Sequence, residues 1–108
     1  MTLAKLYGSV IDGVADQLSG DECLLVQYGL LWYAFGKCAW EASKADDRLF
    51  LFRDRDATEY VAFTDDEAWL CSFLAKMVRS GKSVALAEDR HDGNGYRLTR
   101  IVRPGGAE

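Results

Sequence analysis

The chain has 108 residues, of which 49% are hydrophobic and 28% are charged, and it contains one proline. This length and composition are typical of a single folded domain and exclude a disordered, proline-rich segment. The formal net charge of -4 disfavours direct nucleic-acid binding, since general affinity for phosphate backbones requires a basic face. We therefore predict one globular domain over residues 1–103, followed by a short C-terminal tail over residues 104–108.

The N-terminal residues predict a cytoplasmic protein. The segment MTLAKLYGSVIDG lacks a continuous apolar run ahead of a small-residue cleavage site, so it does not have the form of a secretory signal. The three cysteines, Cys23, Cys38 and Cys71, are odd in number and have no C-x-x-C spacing, which fits neither a disulfide framework nor a zinc site. We expect three reduced, mostly buried thiols, with no bound metal and no cofactor.

The first half of the chain predicts two helices. Apolar residues recur at helical spacing over about residues 3–18, and Thr2 is placed as the N-cap of that helix. Ser19-Gly-Asp-Glu22 then has the form of a capping box, in which a hydroxyl residue is followed three positions later by a glutamate. Because a long apolar run comes directly after it, a second helix is predicted from there to about Lys44.

The second half predicts two β-hairpins separated by a third helix. RLFLFRD and TEYVAFT are short and rich in aromatic and β-branched residues, as strands are. SVALAE and YRLTRIV form the second hairpin, joined by DRHDGNG with its Asp-Gly and Asn-Gly turn pairs. Between the hairpins, Thr64 and Glu67 form another capping box, and Gly81 marks the end of the third helix.

These elements predict an α+β domain in the order α-α-β-β-α-β-β. Four strands and three helices suggest one mostly antiparallel four-stranded sheet with the helices packed on one face. The order of the strands within the sheet does not follow from the pattern.

The stretch YGLLWYAFGKCAW, residues 28–40, is the most apolar part of the chain. Gln27 and Lys37 interrupt the wider apolar run and its flanks are acidic, so it is not expected to span a membrane. As a helix it would have two apolar sides, one for the core and a second that needs either the first helix or a second chain to cover it. We predict that the second side is a homodimer interface, formed by Val26, Leu30, Tyr33, Lys37 and Trp40.

Two further sets of residues are candidate binding groups. Aromatic side chains would line a pocket for a small apolar ligand: Tyr28, Trp32, Phe35, Trp69 and Phe73. Arginines of the last predicted strand would contact an anion or an acidic protein: Arg97, Arg100 and Arg103. Side-chain alternation places Arg100 on the face opposite the other two, and charge that protects an exposed sheet edge is the alternative explanation for all three.

No combination of residues predicts catalysis. Helix capping explains the acidic run TDDE at residues 64–67, and His91 lies in a predicted turn with no third group to orient it. The leading hypothesis is a small non-enzymatic binding or interaction module that acts as a homodimer, with a protein or a small apolar molecule as a further partner. One alternative is a small-molecule-binding domain or small enzyme with the aromatic pocket. Another is an acidic inhibitor, of the type found in phages and mobile elements, that blocks a nucleic-acid-binding protein and displays the carboxylates of residues 41–67 on one exposed face.

Overall fold

Three α-helices and six β-strands form one α+β fold in the computed structural model, which describes residues 2–90 and 95–105. In chain order the elements are α1 (Leu3–Val14), β1 (Glu22–Tyr28), β2 (Leu31–Phe35), α2 (Gly36–Ala45), β3 (Phe52–Arg53), β4 (Glu59–Thr64), α3 (Glu67–Arg79), β5 (Ser83–Asp89) and β6 (Tyr96–Val102). A short 3-10 turn, Ala15–Gln17, follows α1. The α+β class is confirmed, but the predicted order α-α-β-β-α-β-β and the predicted total of four strands are wrong.

The described strands form a single mixed sheet in the order β3-β4-β2-β1-β5-β6. The two predicted hairpins are confirmed as antiparallel pairs, β3 with β4 and β5 with β6. The pair β1 with β5, inside the sheet, is parallel and places Leu25 opposite Leu86. A parallel pair requires a long connection, and here the connection contains β2, α2, β3, β4 and α3.

Helices cover both faces of the sheet. Because side chains alternate along a strand, Leu24 and Val26 of β1 point to one face, and Cys23 and Leu25 point to the other. We call these the α1 face and the α2/α3 face, after the helices packed on them. The buried helical residues are Leu6, Val10 and Val14 on the α1 face and Ala39, Ala42, Leu70, Phe73, Leu74 and Met77 on the α2/α3 face. The prediction that all helices lie on one face is therefore wrong.

The apolar stretch at residues 28–40 is not one helix. The two-residue turn Gly29–Leu30 joins β1 to β2, and φ is positive at Gly29 (+64°) but not at Leu30, which favours a type II′ hairpin turn. Gly36, with φ of +60°, lies where β2 ends and α2 begins. Positive φ values favour glycine, so these two residues divide the predicted helix into a strand, a second strand and a shorter helix.

The helix ends agree with the sequence more closely than the middle of the chain does. Thr2 caps α1 as predicted, because its hydroxyl oxygen accepts a hydrogen bond from the backbone N–H of Lys5 at 3.2 Å. Gly81, with φ of +81°, follows the end of α3, where backbone N–H groups donate to carbonyls of the last turn in a Schellman motif. The cap at the start of α3 differs, because Asp66 forms it and Thr64 is the last residue of β4.

Replacing Asp66 with alanine should lower the free energy of unfolding by about 1 kcal/mol. The carboxylate accepts a hydrogen bond from the backbone N–H of Trp69 at 2.9 Å, and that donor would lose its partner. Thr64→Ala is the control and should change stability by less than about 0.5 kcal/mol, because Thr64 is exposed and is not the cap. Urea titration at fixed protein concentration measures both values. A larger loss for Thr64→Ala than for Asp66→Ala would contradict the assignment of the cap.

Candidate functional site

The five predicted interface residues do not form one stripe. Val26 is buried on the α1 face, Leu30 is 85% exposed at the tip of the β1–β2 turn, and Tyr33 is half-buried on β2. Lys37 and Trp40 lie on α2 and are exposed. Because most of residues 23–35 belong to strands, the helical spacing that grouped these residues does not apply.

The predicted pocket residues are also separated. Trp32 and Phe73 are buried on the α2/α3 face, where the partly buried Trp69 packs against them, whereas Phe35 is buried on the α1 face. Tyr28 is 45% exposed at the end of β1. Side chains on opposite faces of a sheet cannot line the same pocket, so this set does not form the predicted ligand site.

A bulge in β6 places two of the predicted anion-binding arginines on the same face of the sheet. The register leaves Thr99 without an opposite residue on β5. Leu98, before the bulge, packs on the α1 face, and Val102, after it, packs on the α2/α3 face. Alternation from each of these residues directs Arg97 and Arg100 to the α2/α3 face. The prediction that these two arginines lie on opposite faces is therefore wrong.

The third arginine, Arg103, is next to a carboxylate that the local backbone already holds. Arg103 Nη2 lies 3.5 Å from Glu22 Oε2. Glu22 Oε1 accepts hydrogen bonds from the backbone N–H groups of Ser19 and Gly20, and Oε2 accepts one from the Ser19 hydroxyl at 2.8 Å. Burial raises the pKa of Glu22, but these hydrogen bonds outweigh it and lower the pKa overall. The predicted capping box thus forms its contacts at the start of a strand rather than a helix.

A row of aromatic rings crosses the half of the α1 face that lies on β2, β4 and β3. In spatial order the rings are Phe52, Tyr60, Tyr33, Phe35 and Tyr7, and we call this set the aromatic face. The distances between successive ring centres are 5.7, 6.1, 5.9 and 5.2 Å. Exposure increases away from the core, from 4% at Phe35 to 51% at Phe52.

The strands direct only uncharged side chains to this half of the sheet. These residues alternate with buried residues of the α2/α3 face; they are Leu31, Tyr33 and Phe35 of β2, and Tyr60, Ala62 and Thr64 of β4. An antiparallel sheet that faces water on one side normally carries polar residues there. An exposed surface of this kind, rich in aromatic rings and free of charge, is typical of a protein interface.

The hydroxyl of Tyr33, in the middle of the aromatic face, remains uncharged at neutral pH. Burial raises the pKa of the Tyr33 hydroxyl above its ordinary value near 10, and the neighbouring Tyr60 and Tyr28 raise it further. The phenol therefore stays protonated, and it can both donate and accept a hydrogen bond.

A groove runs along another part of the surface, past the first turn of α2. One part, of about 680 Å³, is bounded by α1 and by the starts of β1 and β5, and a second part, of about 410 Å³, lies against α2. Lys37, Glu41 and Lys82 line both parts, so the two are continuous. We call this feature the α2 groove.

Three lysines and three carboxylates line the α2 groove: Lys37, Lys44 and Lys82, and Asp21, Glu22 and Glu41. Lys82 Nζ lies 3.1 Å from Glu41 Oε2, and Lys44 Nζ lies 4.0 Å from the ring centre of Trp40, which is 49% exposed. Lys37 is exposed beside them. The part of the groove against α2 therefore has more lysines than carboxylates, whereas the part that contains the starts of β1 and β5 also has Asp21 and Glu22.

Cys23 and Cys38 form a disulfide in the wall of the α2 groove. Their Cα atoms are 5.2 Å apart, because Cys23 lies on β1 and Cys38 lies in the first turn of α2. The prediction of three reduced thiols assumed that both residues belong to one helix, and it is wrong for this pair. Cys71 is free, but it is exposed rather than buried. A hydrogen bond to Glu67 is the main cause that raises the pKa of its thiol.

Residues 2–90 and 95–105 contain neither a cluster of metal ligands nor a membrane-spanning helix. In these ranges no three His, Cys, Asp or Glu side chains are grouped so that they could hold a metal ion. None of the helices in the same ranges is long and apolar enough to cross a membrane. His91, the histidine of the predicted turn, lies outside the described residues.

Neither the protein-family models nor the curated proteins give a match to this chain. Function is therefore inferred from the geometry of the described residues.

Proposed function

We propose that the protein is a small non-enzymatic interaction module that forms a homodimer through the aromatic face. The observation that supports this most directly is the row of five contacting rings on an uncharged half of the sheet. Exposing such a surface to water costs free energy in a monomer, and covering it with a partner recovers that free energy. Aromatic residues are also enriched where protein interfaces are fully buried.

A second copy of the chain is the partner that fits this surface. Two identical uncharged surfaces meet without like-charge repulsion, and the hydroxyls of Tyr33 and Tyr60 can each donate to the other copy and accept from it across a two-fold axis. A stable dimer needs about 800 Å² from each copy. Phe50, which is 70% exposed and lies two residues before Phe52, extends the apolar surface toward that area.

The proposed interface, like the predicted one, is an apolar surface that joins two copies of the chain, but most of its residues are different. Tyr33 is retained, and the other members are replaced by rings that the sheet brings beside it. A different protein bound to the same face is the competing outcome. The acidic inhibitor has less support, because the carboxylates of residues 41–67 are engaged separately: Asp46 is buried with Arg48, Asp66 caps α3 and Glu41 contacts Lys82.

We also propose a cytoplasmic location. Disulfides are rare in that compartment because its thiol systems keep cysteines reduced. In that location the bond between Cys23 and Cys38 is expected to be reduced.

Light scattering on a size-exclusion column should give the mass of a dimer at about 10–100 μM protein. Phe52→Glu should give a folded monomer, because the variant places an unpaired charge in the dimer interface but leaves it in water in the monomer. Phe52 is 51% exposed within one chain, so the substitution is compatible with the fold. Circular dichroism checks that the variant remains folded.

Trp40→Glu is the matched control. Trp40 has almost the same exposure as Phe52, 49% against 51%, but it lies on α2 in the groove and not on the aromatic face. This variant should remain a dimer. A wild-type monomer across the concentration range, or a dimer that Trp40→Glu dissociates and Phe52→Glu does not, would refute the proposed interface.

A further inference from the structure

We propose that the Cys23–Cys38 bond is a site of reversible thiol–disulfide exchange, and that its co-reactant is a dithiol that enters through the α2 groove. The bond is part of the groove wall, where the groove has a volume of about 680 Å³. Tyr7 and Phe35 of the aromatic face also line this part of the groove, so the two surfaces adjoin, but the exchange itself does not require the homodimer.

The position of the two sulfur-bearing residues determines which of them a reductant reaches. Cys23 is 3% exposed, on a central strand, whereas Cys38 is half-buried at the surface of α2. Exchange requires a thiolate to approach one sulfur of the disulfide along an open path. Both residues line the α2 groove, but Cys38 is the more exposed of the two, so Cys38 Sγ is the sulfur that a reductant attacks.

The surroundings of Cys38 favour a negatively charged sulfur. Cys38 is the third residue of α2, where backbone N–H groups have no partner within the helix and the helix dipole attracts negative charge. Lys37 and Lys82 line the same groove. Three carboxylates line it as well: Glu41 is paired with Lys82, Glu22 is paired with Arg103, and Asp21 adds a further negative charge. The favourable field at Cys38 therefore comes from the start of α2 and from the adjacent Lys37.

The reaction proceeds in two exchanges that balance. A thiolate of the dithiol attacks Cys38 Sγ, the bond between the two protein sulfurs breaks, and Cys23 leaves as a thiolate and takes up a proton. The second thiol of the reductant then loses its proton and attacks the reductant's other sulfur, which is bonded to Cys38 in the mixed disulfide. This second exchange displaces Cys38 as a thiolate. Two electrons pass to the protein, and the dithiol is oxidised to a disulfide.

The reduced protein should remain folded. The bond connects the first turn of α2 to β1, but Ala39 and Ala42 of the same helix are buried in the core independently of it. Reduction therefore removes the cross-link at Cys38 and leaves the helix in place. Because both cysteines line the groove, breaking the bond alters the groove wall.

Alkylation followed by mass spectrometry measures the exchange in the native full chain. Protein purified without reductant is equilibrated in mixtures of reduced and oxidised dithiothreitol, quenched with acid and labelled with a maleimide in denaturant. The free Cys71 provides an internal reference, so the oxidised form should take one label and the reduced form three. We expect complete conversion in both directions under native conditions, with an unchanged circular dichroism spectrum.

Two results would overturn the proposal. In one, the native protein keeps the disulfide at a dithiothreitol concentration that fully reduces the unfolded chain. The disulfide would then be purely structural. The other is three labels in protein kept under air and in oxidised dithiothreitol, since the bond would then not form.

A charge variant tests entry through the groove. Lys37→Glu should slow reduction by dithiothreitol about threefold, because the attacking thiolate and the displaced thiolate would both meet a negative charge at a partly exposed site. Lys5→Glu, on the exposed side of α1, is the control and should leave the rate unchanged. Equal rates for the wild type and Lys37→Glu would contradict entry past this residue.

Discussion

Replacing Phe73 with alanine should lower the free energy of unfolding by about 4 kcal/mol. Phe73 is fully buried on α3, and its ring centre lies 5.1 Å from that of Phe63 and 6.4 Å from that of Trp69. Truncation removes this apolar surface and leaves a cavity between the helix and a six-stranded sheet that cannot close around it. Urea titration at fixed protein concentration measures the loss.

Leu30→Ala is the control for this substitution. Leu30 is 85% exposed at the tip of the β1–β2 turn, so its truncation should change stability by less than about 0.5 kcal/mol. Comparable losses for Phe73→Ala and Leu30→Ala would mean that α3 does not pack on the sheet as described.

Replacing Asp46 with asparagine should lower the free energy of unfolding by about 2 kcal/mol at pH 7. The Asp46 side chain is fully buried, and its two oxygens accept hydrogen bonds from Arg48 Nε at 2.9 Å and Nη2 at 2.6 Å. Arg48 also stacks over the ring of Trp69 and donates to the Ser72 hydroxyl. Loss of the carboxylate charge weakens the contact that positions this guanidinium.

The effect of Asp46→Asn should decrease in acid. Hydrogen bonds from the Arg48 side chain lower the pKa of Asp46, and their effect exceeds that of burial, which raises it. A carboxyl group whose pKa is lower in the folded state stabilises the protein above its unfolded pKa, which is near 3.8, and this stabilisation is lost as the pH falls through the folded pKa. The difference between the wild type and the variant should therefore be largest at pH 5–7 and should shrink below about pH 4.

Glu59→Gln is the matched change at an exposed ion pair. Arg53 Nη2 lies 2.9 Å from Glu59 Oε2, but the two side chains are 65% and 34% exposed. Such pairs contribute less than about 1 kcal/mol, so this variant should change stability only slightly. A constant difference between the wild type and Asp46→Asn from pH 7 to pH 2.5 would contradict the role assigned to the buried carboxylate.

Helices α1 and α3 could be predicted from the sequence because each has one apolar side and a clear boundary signal. Thr2 and Gly81 occupy the positions expected of a helix N-cap and of the residue after a helix end. The two outer hairpins could also be predicted, since their turns separate short segments rich in aromatic and β-branched residues.

The segment from β1 to α2 could not be assigned by periodicity. A strand buried on both faces is apolar at successive positions, and so is a helix buried on two sides. In LWYAF, which is β2, Trp32 and Ala34 enter one core layer while Tyr33 and Phe35 face the other side. Gly29 and Gly36 were the available signal in the sequence that this segment is not one helix. Both have positive φ, and both lie inside the segment that the sequence predicted as a continuous helix.

The candidate site depended on contacts that the sequence does not define. Tyr33 and Tyr60 are neighbours only because β2 pairs with β4, and Tyr60 meets Phe52 only because β3 pairs with β4. The disulfide likewise required that Cys23 and Cys38 belong to different elements. All five residues of β2 are apolar, and this was the signal in the sequence that part of the α1 face must be buried by a partner.

The parallel pairing of β1 with β5 determines when the sheet can be completed during synthesis. The paired residues are roughly 60 positions apart, so β1 has emerged from the ribosome long before its neighbour is made. Until then the nascent chain can form β1, β2 and β4 but leaves the inner edge of β1 unpaired, with its backbone N–H and C=O groups open to any other extended chain. Loop closure over this distance also favours slow folding. The incomplete chain is thus most vulnerable to aggregation before β5 is available, and slower translation of residues 83–89 should lower the yield of folded protein.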